Sequence, residues 1–228
     1  MTSTTPAPGV GRLAALRDEW LMHSMLERVG DLPETVFVPL LRVVADDRAG
    51  VEEHWAALVA ERRRRRGLFE TPQNSWRRQY RQFVRELEWS SGELLRVLPW
   101  PAVEELVSDA VAGRLRGWLR YLLPVFNLVP LVPKAIYPTV LDMGVSLSTF
   151  LVGPIHRTGT EPDGTLVYEI PACAMHTCVS AETAQEASCR MGCKAACEKV
   201  FPAGGPMPLE FDPHLPGLGC TLRVRAAH

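Results

Sequence analysis

All six cysteines of this 228-residue chain fall between Cys173 and Cys220. Nothing before Cys173 carries a thiol, and the densest run is Ser188-Cys189-Arg190-Met191-Gly192-Cys193-Lys194-Ala195-Ala196-Cys197-Glu198. A chain of this length buries a core without cross-links, so disulfides are not needed for stability. The opening segment Met1 to Arg12 has no basic stretch followed by an apolar run. We therefore expect no secretory signal and a reducing cytoplasm, where clustered thiols point first to metal or redox chemistry. The formal net charge of −1 lacks the basic surplus of a nucleic-acid binder.

Ahead of the cysteines the pattern is helical. Leu13, Leu16, Trp20 and the Met22 to Leu26 region recur at helical spacing and stop near Gly30. Asp31 and Pro33 then suit the cap and first turn of a second helix, which would bury Val36, Leu40, Leu41 and Val44 and be bent or divided at Pro39. A third helix is predicted from about Val51 to Arg66, with Trp55, Leu58 and Val59 inward and Gly67 as its stop. The cations Arg62 to Arg66 at its end read as a solvated helix terminus. A fourth helix runs from Asn74 to Leu98 with Trp76, Tyr80, Phe83, Val84 and Leu87 on its apolar side. Pro99 and Pro101 interrupt it before helix resumes over 102–123.

The apolar segment 118–149 belongs to a greasy run that continues to 155. Pro124, Pro130, Pro133 and Pro138 break this run and Lys134 charges it, so it does not read as a transmembrane span. It predicts short, bent segments that form either a buried wall or the lining of an apolar pocket or peripheral membrane-docking face.

From Gly153-Pro154 the signals turn to β structure. Pro162-Asp163-Gly164 marks a turn within a hairpin over 154–170, Ser180 can cap a helix reaching Phe201, and Leu209-Glu210-Phe211 and 219–225 read as strands. Alternation puts Cys220, Leu222 and Val224 on the inner face of the last strand, opposite Thr221, Arg223 and Arg225. The fold class is thus α+β. A mainly helical region over 1–149 precedes a cysteine-rich unit of hairpin, helix and strand over 150–228.

Cys189, Cys193 and Cys197 recur every four residues, so on an α-helix each is turned about 40° and raised about 6 Å from the last, and the outer two stand about 12 Å apart. That reach is long for one compact site. Either Met191-Gly192 loosens the turn, or Cys220 and the Cys173 to Cys178 loop add donors. Thiolates hold iron–sulfur clusters at irregular spacing, and a cluster with three cysteine ligands keeps one iron open. Zinc would take four thiolates, but no pair has the two-residue separation of common zinc ribbons. Mononuclear iron and metal-free redox thiols complete the choices. Cys189, Cys193, Cys197 and Cys220 form the leading ligand set, with Cys173 as the fifth. His176 is the candidate catalytic proton donor or further ligand, although a lone loop histidine is ordinarily neither. His156 is a weaker candidate, and Glu198 reads as either a buried acid/base or a solvated side chain.

The order Phe150-Leu-Val-Gly-Pro154, Pro162-Asp163-Gly164, Val167 to Cys173, Ser188-Cys189, Gly192-Cys193, Cys197, Phe201, Gly205-Pro206, Pro208-Leu209, Pro213 and Gly219-Cys220 resembles the C-terminal domain of the plastid β-carotene isomerases of strigolactone synthesis. The resemblance implies an iron-dependent enzyme that interconverts trans and cis polyenes, with Cys173, Cys189, Cys193, Cys197 and Cys220 in the positions of the family's cysteines. This chain departs by a longer Cys173 to Cys189 interval containing His176 and Cys178, and by Glu198-Lys199-Val200-Phe201 where the family has a Lys-x-Pro-Thr-Gln run. The expectation is a bacterial relative in secondary metabolism: an iron–sulfur or iron enzyme, isomerase- or cyclase-like, taking a lipophilic unsaturated substrate. A four-iron, four-sulfide cluster is the first cofactor, with mononuclear iron or zinc as alternatives. The competing expectation is an iron–sulfur electron carrier or redox sensor served by an electron donor.

Overall fold

The computed structural model describes residues 20, 24, 26–62, 71–146, 153–173, 186 and 188–225. The α+β architecture is as expected: the described residues up to 146 are mainly helical, and a four-stranded antiparallel sheet follows.

The first described helical stretch ends at Gly30, whose N–H reaches Leu26 O at 2.8 Å. Its predicted apolar residue Trp20 is instead exposed. Pro33–Phe37 form a π-helical turn that passes into α1 (Val38–Val44). Pro39 has no N–H, and its ring crowds the carbonyl four residues back. The wider turn relieves this, with Val38 N–H bonded to Pro33 O five residues back. The expected division at Pro39 is thus a change of helical pitch. It also moves the apolar face, so Phe37, Val38 and Leu41 are fully buried while Val36, Leu40 and Val44 are only partly so. Asp31 does not cap this helix through its side chain. Its carboxylate accepts from Arg114 Nη2 at 3.0 Å.

Helix α2 (Arg48–Arg62) starts where the Asp47 carboxylate accepts from Gly50 N at 2.9 Å. Val51 and Trp55 are buried, whereas Leu58 and Val59 are half-buried. Of the five-arginine run only Arg62 is described, and its guanidinium lies 5.4 Å from the Trp55 ring and bonds Glu34 and Glu86. Arg62 is therefore a packed, paired side chain rather than a solvated end. Helix α3 (Pro72–Val97) is capped by the Thr71 hydroxyl, which accepts from Asn74 N at 3.3 Å. Tyr80, Phe83, Val84 and Leu87 are buried as their spacing predicts. Pro101 does not break the next helix. It sits in the first turn of α4 (Trp100–Leu119), where no N–H is needed. Val103, Val107, Val111 and Ala112 complete a helical core with Phe37, Leu41, Val84, Leu87 and Leu94.

The proline-rich run folds as α5 (Leu123–Phe126), a short tight turn Val129–Leu131, and α6 (Tyr137–Ser146). The short, bent segments are as expected, and their apolar residues divide between a buried side and an exposed one. Leu122, Val125, Leu128 and Leu131 face outward, and only the intervening residues pack inward.

The sheet has the order β1-β2-β4-β3, from β1 (His156–Thr160), β2 (Leu166–Ile170), β3 (Leu209–Pro213) and β4 (Cys220–Val224). Gly164, at φ +89°, closes the β1–β2 hairpin, and the Asp163 carboxylate holds the turn by accepting from Thr165 N at 2.9 Å. Leu166, Tyr168 and Ile170 face the core beside Leu222 and Val224. The Tyr168 hydroxyl donates to Asp142 Oδ1 at 2.9 Å and so ties α6 to the sheet. Burial, followed by this carboxylate, pushes its phenol well above the usual range. Tyr168→Phe is expected to cost about 1 kcal/mol, measured by urea unfolding, with far-UV circular dichroism unchanged.

Candidate metal centre

The cysteine helix occupies the seam between the two cores. It is a π-helical segment (Ser188–Ala195) continued by α7 (Ala196–Val200), packed against α4 on one side and β3 on the other. Met191, Ala196 and Val200 point into the helical core, while Cys193 and Cys197 pack on the sheet core. Two polar braces hold it there. Lys199 Nζ bonds Asp109 on α4, and Arg116 Nη2 donates to Lys199 O at 2.6 Å. On the sheet side Glu198 accepts from Lys194 Nζ at 2.7 Å and from Phe211 N at 3.0 Å. Glu198 is thus neither a buried acid/base nor merely solvated. It fastens the helix to β3.

The π geometry changes the thiol stripe. A four-residue step overshoots a full turn on an α-helix but falls short of one on the wider π-helix. The step from Cys189 to Cys193 lies in the π segment, and the one from Cys193 to Cys197 runs out of it into α7. The loosening expected at Met191-Gly192 therefore has a definite form. At Gly192 the helix passes close to α3: a Cβ there would stand in ordinary contact, 3.5 Å from Leu87 Cδ2.

The sheet contributes the other two thiols. Cys220 opens β4, opposite Ile170 on β2 and Pro213 on β3, with its side chain inward as the alternation predicts. Cys173 follows β2 at the same end, where its N–H donates to Leu218 O at 2.8 Å. Cys173, Cys189 and Cys220 are buried, and Cys193 and Cys197 are half-buried. The sulfurs lie near enough to sense one another. Burial raises the Cys189 thiol well above its ordinary value, and Cys193, Cys220 and Cys173 add to the rise. Burial pushes Cys220 up to about 12, aided by Cys193 and Cys173. A hydrogen bond with Cys197, followed by burial, raises Cys193. Burial and mutual proximity thus favour the protonated thiols, and a bound cation would favour their thiolate forms.

The structure therefore brings together Cys173, Cys189, Cys193, Cys197 and Cys220. Among the described residues, no three His, Cys, Asp or Glu side chains close around a single ion-sized point. His176 and Cys178 lie outside the described residues. His156 is exposed on the edge strand β1 and takes no part. Behind the thiols, on the reverse face of β4, the sequence reading missed a polar chain that runs from half-buried Glu169 through buried Thr221 to exposed His214. Thr221 Oγ1 donates to Glu169 Oε1 at 2.8 Å and lies 2.8 Å from His214 Nε2. Because the hydroxyl hydrogen is committed to Glu169, the histidine is the donor to Thr221. Glu169 and Thr221 are direct cross-strand partners on β2 and β4, a non-local pairing that no local sequence signal gives. A cleft of about 770 Å³ opens beside the sheet, with Lys134, Tyr137, Leu166 and Arg225 on its walls and no cysteine among its lining residues.

No protein-family model, curated protein or solved structure matches this chain.

Proposed function

We propose that this chain is a cytoplasmic iron–sulfur enzyme, isomerase- or cyclase-like, that acts on a lipophilic unsaturated substrate of the polyene or isoprenoid kind. The observation that supports it is the convergence of five thiols from three separate stretches, the end of β2, the π-helical segment with α7, and the start of β4. Four ligands of a cluster stand at the corners of a body wider than one ion, so donors drawn from three separate stretches are compatible with a polynuclear group. When bound, the cluster would supply Lewis-acid binding or reversible electron transfer, either of which lowers the order of a conjugated double bond and lets it rotate. The chain's own part is to hold the thiols against an apolar core that includes Met207, Phe211 and Leu222. The reaction class rests on the likeness to the β-carotene isomerases. Isomerisation exchanges no atoms with solvent and has no net redox change.

A second reading, an electron carrier or redox sensor, is favoured by the donor count. Five cysteines exceed the four that close a four-iron cluster. One experiment separates the two readings. Protein purified anaerobically is reconstituted with ferrous iron and sulfide, assayed for both, and incubated with an all-trans polyene whose products are resolved by chromatography. Stoichiometric iron and sulfide with a cis product supports the enzyme. The same cluster, reducible but inert toward polyenes, supports the carrier. Stoichiometric zinc in place of iron overturns both.

A further inference from the structure

We infer that the outward face of residues 121–143 is a docking surface for an anionic lipid bilayer. This goes beyond the function proposed above and does not depend on it. The backbone closes repeatedly on the carbonyl three residues back, from Leu122 N, Val125 N, Leu128 N and Leu131 N at 2.7, 2.9, 3.0 and 2.9 Å, while Phe126 N and Asn127 N keep the four-residue bonds of α5. Side chains three apart eclipse under that pattern. Leu122, Val125, Leu128 and Leu131 therefore form one ridge, exposed at 50, 56, 55 and 77%. The set one residue along, Leu123, Phe126, Val129 and Val132, turns inward onto the two cores. Helix α6 repeats the arrangement at helical spacing. Ile136, just before it, Val140 and Met143 are outward, while Tyr137 and Leu141 are buried. Two successive elements with opposite-facing apolar sets are amphipathic in reverse, since the exposed side is as apolar as the buried one. Soluble monomers rarely show so large a patch.

The charges select the occupant. Between Asp109 and Asp142 there is no acidic residue, while Arg114, Arg116, Arg120 and Lys134 all lie within this interval, and Asp142 itself is engaged by the Tyr168 hydroxyl and by Arg157 at 3.5 Å. Arg114 and Arg116 are engaged with Asp31 and Lys199 O. Arg120 stacks on exposed Tyr121 at 4.4 Å, an aromatic and cationic pair suited to the headgroup layer, and exposed Lys134 flanks the far end of the ridge. A two-fold contact with a second copy would set this single-sign rim against itself. An anionic headgroup layer over acyl chains complements both the rim and the ridge. Among the described residues no helix is long and apolar enough to cross a membrane, so the contact is interfacial. Its inner side packs in the same core as Cys173 and Cys220.

The test is co-sedimentation of the full chain with phosphatidylcholine vesicles, with and without about one third phosphatidylglycerol. The expected result is strong pelleting with the anionic vesicles and at least about tenfold weaker partition onto neutral ones. Leu128→Asp/Leu131→Asp should lower partition by about a hundredfold while circular dichroism stays unchanged, because both side chains are solvent-facing. Lys134→Glu should remove the anionic preference but leave residual binding. Equal absence from both pellets overturns the inference. So does a dimer in sedimentation velocity that the double aspartate variant dissociates, because the occupant is then a second copy.

Discussion

Arg62→Ala is expected to destabilise the helical region by about 3 kcal/mol at neutral pH, and most of that loss should disappear in acid. Glu86 is the reason. Its side chain is 2% exposed, and Arg62 Nε at 3.0 Å and Gln82 Nε2 at 3.1 Å are its hydrogen-bond partners. Burial raises this carboxyl above its ordinary value of 4.5, and Gln82 and Arg62 pull against the rise. Removing the guanidinium leaves desolvation opposed by one neutral amide, so the carboxyl titrates higher still. A group raised in the folded state favours folding in its protonated form. The penalty is present above the raised value and is relieved as pH falls toward the ordinary carboxylate range. Urea midpoints for wild type and variant should therefore converge in acid. A loss equal at both pH values would assign the effect instead to lost packing over Trp55. The double variant Arg62→Met/Glu86→Leu should lie close to wild type, because it removes the buried charge together with its partner.

Glu86 also shows where sequence reasoning stops. Helical period placed Tyr80, Phe83, Val84 and Leu87 correctly, because apolar side chains at that spacing have one way to leave water. Glu86 lies between them and reads as solvent-facing, yet Arg62, whose own arginine run reads as solvated, reaches it from another helix. Pairings of this kind are set by tertiary contact rather than local pattern. The Pro162-Asp163-Gly164 turn and the alternation of β4 were legible because each is fixed by backbone geometry within a few residues. The greasy run admits two readings for a different reason. Hydropathy records how much a side chain gains by leaving water, not whether anything in the chain covers it. A three-residue period divides Leu128 from Val129 with no difference in composition. At the thiols, spacing alone gave a stripe too long for one site. The π-helical turn changes the rotation between Cys189 and Cys193, and no local sequence rule foretells a π-helix over Ser188–Ala195.

That assembled geometry makes Cys220→Ala the most severe single change expected at the site. Cys189, Cys193 and Cys197 share one helical segment, and any of them can be partly replaced by its neighbour through a small shift of the π turn. Cys220 is held in the middle of the sheet, paired through Ile170 on one side and Pro213 on the other, and has no such freedom. Under the proposed cluster, Cys220→Ala should abolish iron and sulfide retention after desalting, while Cys193→Ala or Cys197→Ala should leave a cluster of lower occupancy with altered absorption. The small side chain deletes little buried volume, so the metal-free variant should stay folded, with a stability loss of about 1 kcal/mol. Iron and sulfide analysis read beside circular dichroism tests this directly. Full retention of both in folded Cys220→Ala removes β4 from the ligand set and returns the site to a local helical motif. Loss of cluster together with an intact fold makes the sheet and helix joint holders of the metal, as the seam between the two cores implies.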